Sequence, residues 1–189
     1  MTSTSTAQHL TPRARRILEV ASQLFYRHGI HAVGVDTIAA ASGVTKRTLY
    51  DRFGSKDALV TAYLQQRHDT WWARLERRLA TASHPRALAV FDAYTDDAPD
   101  IARGCAFLNG AAELSADHPG LAVIRTHKHA VRQRLAELVS EDCPDRDDQQ
   151  TIAEHLFLLL EGAIAHRGID NDDHRLRQAR DLACALLCR

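Results

Sequence analysis

No run of about 18 apolar residues occurs in this chain, so the sequence predicts no membrane-spanning helix. The first residues, MTSTSTAQHLTPRARR, also lack the apolar stretch of a secretion signal. A cytoplasmic protein is therefore expected. Residues 1–10 are polar and rich in Ser and Thr, which favours a flexible arm.

Cysteine is scarce, and its spacing predicts neither a disulfide framework nor a metal site. The four cysteines include no C-x-x-C pair, which favours reduced thiols. Cys184 and Cys188 share a helix face, as a soft-metal pair would, but small cysteines among Leu and Ala are also ordinary packing. His127 and His129 lie two apart, so on a helix they point about 200° apart and make poor partners for one ion. We expect no metal and no cofactor.

Sequence patterns of catalysis are missing as well. G-x-S-x-G, phosphate-loop and H-E-x-x-H motifs do not occur, and no Cys or Ser has an assignable base. An enzyme is not expected.

Alternating apolar and polar residues, the mark of a half-buried strand, also fail to appear over any useful length, and there is no internal repeat. Apolar residues recur instead at helical spacing, which predicts an all-α fold of about nine helices. Thr11-Pro12 and His28-Gly29 bound the first helix, and Ser55 caps a long one that continues to about Leu79. Later helices are predicted near residues 87–94, 104–116, 119–139, 150–167 and 172–188.

Charge divides the chain, although the net charge is zero. Residues 1–56 hold eight Lys or Arg against three Asp or Glu, and residues 57–189 hold sixteen against twenty-one. The two parts therefore carry +5 and −5. A basic module joined to an acidic one is typical of a DNA-binding head on a separate body.

The stretch VDTIAAASGVTKRTLYDRFGSK, residues 35–56, predicts two helices joined by a tight turn. Asp36 or Thr37 can cap the first helix, and the second opens at Thr45. Ala39 supplies a small residue where the helices touch, and Gly43 tolerates positive φ in the turn. The apolar wedge beneath is predicted from Ile38, Val44, Leu49 and Phe53.

The run T-I-A-A-A-S-G-V-T-K-R-T-L-Y-D-R-F-G-S-K-D-A-L resembles the helix-turn-helix of the TetR family of transcriptional regulators. That family's pattern is roughly T-x-x-I-A-x-x-A-G-V-S-x-x-x-L-Y-x-x-F-x-S-K-x-x-L. The resemblance covers the first quarter to third of the chain. Arg47 stands where the family most often has a small residue, and Arg52 stands where it often has His.

The outer face of the second helix carries cations and hydroxyls that suit phosphates and base edges. Arg47 can fork onto guanine O6 and N7, and the resemblance implies flanking contacts from both neighbouring helices. The predicted DNA-binding residues are Thr37, Thr45, Lys46, Arg47, Thr48, Tyr50, Arg52 and Lys56. Arg13, Arg15 and Arg16 at the start of the first helix are expected to touch phosphate.

The rest of the chain is predicted to bind a small molecule. By resemblance to the family, aromatic residues from three helices surround an effector cavity, although an ordinary helical core has the same composition. The predicted lining residues are His68, Trp71, Trp72, Phe91, Tyr94, Phe107, Asn109, Glu113 and His127.

The last two helices are more apolar than one protomer plausibly buries, which predicts a homodimer. The predicted interface residues are Ile152, Leu156, Leu159, Ala163, Ala179, Leu182 and Leu186. The domains are then 1–10 as the arm, 11–56 as the DNA-binding head, and 57–189 as the effector-binding and dimerisation body.

These features favour a dimeric regulator, more specifically a repressor, that a small molecule releases from operator DNA. One alternative is an all-α dimeric structural or nucleoid-type DNA-binding protein without an effector. A second alternative is a small-molecule-binding or enzymatic helical bundle whose activity would survive removal of residues 1–56.

Overall fold

The computed structural model describes residues 10–96 and 103–188. The predicted arm lies outside these residues except for Leu10. Within them the chain forms nine helices and no strand, which confirms the all-α prediction. The helices are α1 (Pro12–His28), α2 (Val35–Ser42), α3 (Lys46–Phe53), α4 (Lys56–Leu79), α5 (Leu88–Thr95), α6 (Ala106–Glu113), α7 (Gly120–Asp142), α8 (Gln149–Asp170) and α9 (His174–Leu187).

Helix ends mostly follow the local chemistry of the sequence. Thr11 Oγ1 accepts a hydrogen bond from the N–H of Ala14 at 3.3 Å, and Pro12 occupies the first position of α1. Ser55 Oγ accepts from the N–H of Ala58 at 3.0 Å and so caps α4. Both predicted caps are confirmed.

The start of α2 differs from the prediction. Its N-cap is Gly34, which has no side chain to accept a hydrogen bond, so the prediction that Asp36 or Thr37 caps this helix was wrong. Asp36 lies inside the first turn instead. A carboxylate there still meets the positive end of the helix dipole, which is why sequence alone does not separate the two positions.

The chain divides into two compact units. The first contains the described residues up to Thr70 together with Ala106–Arg125, and the second contains Trp71–Cys105 and the chain from Thr126 onward. The division falls within α4 and within α7. The predicted boundary at residue 56 therefore stays a prediction.

In the first unit, α1, α2 and α3 pack against one another around Ile17, Ile38 and Leu49, all fully buried. The rings of Phe25 and Tyr63 lie 5.6 Å apart and join α1 to α4. Gly110 brings α6 close to its neighbours, because a Cβ there would lie 3.3 Å from Ile124 Cδ1.

In the second unit, α8 and α9 pack along each other, and α5 contacts α9. Gly104 and Gly168 mark the tightest approach of the backbone. A Cβ on Gly104 would lie 2.8 Å from the Gly168 nitrogen, and a Cβ on Gly168 would lie 2.9 Å from the carbonyl carbon of Arg103. Both positions therefore exclude a side chain.

A buried arginine ties the end of α5 to α8. Arg167 donates through Nη1 to the carbonyl of Tyr94 at 2.7 Å and through Nη2 to that of Thr95 at 2.8 Å. Its Nε lies 2.7 Å from Asp173 Oδ1. These partners compensate the burial of the guanidinium and satisfy carbonyls at a helix end.

The part of the chain that the structure describes includes no helix with both the length and the apolarity needed to cross a membrane.

Candidate nucleic-acid interface and effector-site residues

The turn between α2 and α3 has the geometry that its sequence predicts. Gly43 adopts φ 70° and ψ 31°, the left-handed conformation that ends α2. The N–H of Val44 then donates to the carbonyl of Ala39 at 3.0 Å. Thr45 caps α3, because its Oγ1 accepts from the N–H of Thr48 at 3.1 Å. The turn and the cap together fix where α3 begins.

One face of α3 anchors the helix and the opposite face points outward. Leu49 is fully buried and Phe53 half-buried, whereas Arg47 and Asp51 are exposed. At about 100° per residue, Arg47 and Asp51 lie roughly 160° from Leu49 around the helix axis. The outward face is thus set by the position of Leu49.

The cations on this face differ in their surroundings. Lys46 Nζ lies 3.1 Å from the Asp36 carboxylate, an exposed pair between α3 and α2. Within the described residues, Arg47 has neither an ion-pair nor a hydrogen-bond partner. A long guanidinium without a protein partner is available for bidentate contact with a phosphate or a base.

A groove beside the turn collects further guanidinium groups. Arg13 and Arg16 of α1 and Arg52 of α3 line it together with the turn residues Gly43 and Val44. The first turn of α1 adds the backbone N–H of Arg13 and the positive end of its dipole at the same place. The groove therefore suits a phosphate, as predicted for the start of the first helix.

The remaining predicted DNA-binding residues lie on α2, on α3 and at the start of α4. Thr37 is exposed in the first turn of α2, and Tyr50 is exposed on α3. The Thr45 and Thr48 hydroxyls share a 2.9 Å hydrogen bond. Lys56 is half-buried in the first turn of α4. The assignment of these side chains to DNA stays a prediction.

Three of the predicted effector residues pack together in the second unit. The Trp71 and Tyr94 rings lie 4.8 Å apart, and the Trp71 and His127 rings lie 5.1 Å apart, edge to face. The Tyr94 hydroxyl and His127 Nε2 share a 3.1 Å hydrogen bond. We call Trp71, Tyr94 and His127 the aromatic cluster. Phe91 is fully buried in the same unit, and Trp72 is half-buried with its ring 6.0 Å from that of Trp71.

The aromatic cluster contains an unsatisfied donor. The Trp71 side chain is 0% exposed, and its Nε1 has no hydrogen-bond acceptor among the described residues. Buried indole N–H groups almost always have an acceptor, so this one calls for an explanation.

Sequence reasoning missed Lys128, the neighbour of His127. Its Nζ lies 2.7 Å from Glu161 Oε1 and 5.8 Å from the centre of the Tyr94 ring. Both partners come from other helices, so no spacing in the sequence reveals the contact. The ammonium group of Lys128 therefore lies beside the Tyr94 ring of the aromatic cluster.

The other four predicted effector residues lie in the first unit. Phe107 is buried, and His68 and Asn109 are half-buried. Burial lowers the pKa of His68 from its ordinary value, and the nearby Asp69 carboxylate offsets part of that shift. Glu113 accepts a hydrogen bond from the N–H of His31 at 2.8 Å. Its carboxylate thus binds the backbone between α1 and α2, a contact too distant in sequence to be predicted.

The predicted dimer residues divide between core and surface. Ile152 and Leu156 are buried in the protomer, and Leu156 is 0% exposed; the assignment of these residues to a dimer interface stays a prediction. Ala163 and Ala179 are also buried, Leu159 and Leu186 are half-buried, and Leu182 is 55% exposed. The predicted set omits Leu158, which is 65% exposed. Helical spacing identifies an apolar face, but it does not show which residues of that face are exposed to solvent.

The exposed leucines line one apolar groove between α8 and α9. Its lining, which we call the α8/α9 groove, consists of His155, Leu158, Leu159, Leu182, Ala185 and Leu186. The groove is continuous with a second depression that extends past Ala163 and Ala179.

Comparisons with known proteins agree with this geometry. The family described as "Bacterial regulatory proteins, tetR family" matches residues 17–63, which contain α2, α3 and the turn between them. The HTH-type transcriptional repressor ComR of Escherichia coli (strain K12) is 27% identical over 156 residues, covering 77% of this chain and 74% of that protein.

Two further relatives match nearly the whole chain. The HTH-type transcriptional repressor Rv1474c of Mycobacterium tuberculosis is 31% identical over 188 residues, which cover 92% of each chain. The crystal structure of a TetR-family transcriptional regulator from Streptomyces coelicolor superposes with a TM-score of 0.82 at 30% identity, covering 93% of this chain and 94% of that chain. The chain therefore belongs to the TetR family of DNA-binding transcriptional regulators.

Proposed function

We propose that this protein is a dimeric repressor that binds operator DNA through α3 and leaves it when a small molecule binds the second unit. The observation that carries the proposal is the exposed guanidinium of Arg47, which has no partner among the residues that the structure describes and lies on the face of α3 opposite the buried Leu49. Regulation through repression is supported by two relatives, ComR and Rv1474c, that are named as transcriptional repressors.

Base reading and phosphate binding fall to different arginines. Arg47 projects from the outward face of α3, where a bidentate contact with guanine distinguishes one base pair from the others. Arg13, Arg16 and Arg52 line the groove beside the turn, where they hold the backbone of the duplex. Arg47 thus sets the sequence preference, and the three groove arginines set the affinity for DNA and its dependence on salt.

Dimerisation is supported by the α8/α9 groove. Leu158 and Leu182 expose more than half of their side-chain surface, and soluble monomers rarely expose a continuous apolar patch. A second copy related by two-fold symmetry would place the same leucines against each other and form a four-helix bundle. The two copies of α3 would then read two half-sites about 34–36 Å apart.

The unsatisfied Trp71 Nε1 supports an effector site in the second unit. An effector with a carbonyl or carboxylate oxygen would accept that hydrogen bond, and aromatic or apolar groups on it would match the surrounding rings. We therefore propose a small, largely apolar molecule with one strong acceptor. Trp71→Phe removes the donor and keeps a ring.

The release mechanism that we propose uses α4. This helix has 24 residues and carries Lys56 in its first turn and Trp71 further along. At about 1.5 Å per residue it is roughly 36 Å long, so a tilt of about 5° moves one end by about 3 Å. Such a shift breaks the register of paired half-sites. The effector must bind the released form more tightly, and a coupling of about 1–3 kcal/mol per site is usual.

Selection of DNA from a random duplex pool tests the proposal. A dimeric repressor should enrich one pseudo-palindromic sequence with half-sites a helical turn or a multiple of it apart. Uniform recovery of all sequences, with binding that falls steeply as salt rises, would instead indicate a nucleoid-type binder. Thermal unfolding with a library of small aromatic acids then finds the effector, whose shift in unfolding temperature should shrink in Trp71→Phe.

A further inference from the structure

Two thiols face each other at the carboxyl end of α9. The Sγ atoms of Cys184 and Cys188 lie 3.9 Å apart. Cys184 is half-buried and Cys188 is exposed, so the pair is open to solvent on one side. Residues four apart on a helix share a face, which is why the two sulfurs meet without any rearrangement of the chain.

The spacing of the sulfurs suits a single metal ion. With a metal–sulfur distance of about 2.3 Å, two thiolates on one ion lie about 3.8 Å apart at a tetrahedral angle and about 4.6 Å apart in a linear arrangement. The observed separation of 3.9 Å lies at the tetrahedral end of this range, so a linear two-thiolate site requires the sulfurs to move about 0.7 Å further apart. Cys188 follows the last residue of α9, so its side chain has room to adjust within that range.

The number of donors identifies the class of ion. Thiolates are soft ligands that favour Cu(I) and zinc among biological metals. A structural zinc site needs four ligands, and no cluster of three or more His, Cys, Asp or Glu is positioned for a metal in residues 10–96 and 103–188. Two thiolates do satisfy a cuprous ion. We propose that Cys184 and Cys188 form a bidentate site for a soft monovalent ion of the cuprous type.

Neighbouring groups are already engaged and leave the pair as a two-ligand site. The buried Cys143 donates its thiol to the carbonyl of Leu187 at 3.6 Å. Arg180, one turn before Cys184, binds the Asp92 carboxylate at 2.7 Å.

The thiols do not line the proposed dimer contact. At about 100° per residue, both lie roughly 120–160° around α9 from Leu182 and Leu186, which line the α8/α9 groove. Cys188 lies about 60° from Ala185, the third α9 residue of the groove, so the pair sits beside the edge of the groove and not in its lining.

A competition titration with the full-length, fully reduced protein tests the proposal. Cu(I) is supplied anaerobically as its bicinchoninate complex, and its transfer is followed by loss of the bicinchoninate colour and by the ultraviolet thiolate-to-copper band. We expect one ion per chain in the wild type and an affinity about a hundredfold lower in Cys188→Ser and in the Cys184→Ser/Cys188→Ser double variant.

Matched controls make the result decisive. Cys105→Ser removes a buried thiol elsewhere in the chain and should leave both the stoichiometry and the affinity unchanged. Circular dichroism checks that every variant keeps its helices, and the exposed Cys188 is the substitution least able to disturb them. Wild-type protein that takes no Cu(I) from the competitor, or a folded Cys188→Ser variant that takes it as tightly as wild type, would overturn the proposal.

Discussion

The Glu113 carboxylate accepts a 2.8 Å hydrogen bond from the backbone N–H of His31. Glu113 ends α6, and His31 lies in the connection between α1 and α2, so one side chain links α6 to the helix-turn-helix. The contact also passes close to Gly29, where a Cβ would lie 3.0 Å from either carboxylate oxygen. The absence of a side chain at Gly29 lets the carboxylate reach the backbone.

Removing this link should destabilise the first unit. Glu113→Ala deletes the acceptor of a charge-assisted hydrogen bond, and we expect it to lower the free energy of unfolding by about 1–2 kcal/mol. Urea unfolding measures the change. Glu137→Ala is the matched control, because Glu137 is an exposed glutamate that binds Gln133 and Arg134 of its own helix. Equal effects of the two substitutions would contradict a specific role for Glu113.

Gly43→Ala should damage the turn before α3. The left-handed φ of 70° strains any residue with a Cβ, at a cost of about 1–2 kcal/mol. DNA binding should fall further than stability, because relief of the strain displaces the start of α3. Gly34→Ala is the control, since Gly34 has φ −80° and open space around it. Calorimetry and electrophoretic mobility shifts give the two measurements, and a Gly43→Ala protein that matches Gly34→Ala in both would show that the turn tolerates a side chain.

The α8/α9 groove predicts which charged substitutions would break the proposed dimer. Leu158→Glu with Leu182→Glu should give a folded monomer, because the paired apolar face would then bury carboxylates. Ile169→Glu is the control: Ile169 is 75% exposed on α8 and is not among the groove residues. Light scattering reports the mass, and an unchanged mass in the double variant would place the interface elsewhere.

A substitution at Leu156 tests whether this residue stabilises the fold of the protomer or the proposed dimer. Because Leu156 is fully buried in the protomer, Leu156→Ala should lower the free energy of unfolding of the chain by about 2–5 kcal/mol. The surface variants at Leu158 and Leu182 should act on association instead. If Leu156→Ala instead changed only how the free energy of unfolding depends on protein concentration, Leu156 would act through dimer association and would belong to the interface.

His68 gives the first unit a dependence on pH. Burial lowers the pKa of His68 below the value of 6.5 that it has in an unfolded chain. As the pH falls, His68 is protonated in the unfolded chain before it is protonated in the folded one. The part of the unfolding free energy that neutral His68 contributes is therefore fully present above about pH 6.5 and is lost as the pH drops through the folded pKa. NMR titration measures that pKa, with His68→Gln to assign the signal. A folded pKa at or above 6.5 would contradict the effect of burial.

The sequence predicted the helix caps and turns of this structure better than it predicted how the apolar helix faces are covered. Thr11 and Ser55 cap helices as expected, and Gly43 adopts the predicted conformation, because caps and turns depend on residues within four positions. The interface prediction included the buried Ile152 because helical periodicity marks an apolar face without showing what covers it.

Contacts between residues far apart in the chain were not predicted from the sequence. Lys128 meets Glu161 and Glu113 meets His31 across 33 and 82 positions of the chain. Both pairs depend on how helices pack, and neither leaves a periodic signal. The unsatisfied Trp71 Nε1 is likewise visible only once its surroundings are known.

We propose that α3 reads DNA sequence through Arg47, and the ratio of the affinities for the selected duplex and for a scrambled one measures this reading. Fluorescence anisotropy at matched salt measures this ratio for wild type, Arg47→Ala and Lys56→Ala. We predict that Arg47→Ala loses about 1–3 kcal/mol on the selected duplex and little on the scrambled one, whereas Lys56→Ala weakens both alike. Equal losses on the two duplexes for Arg47→Ala would contradict the claim.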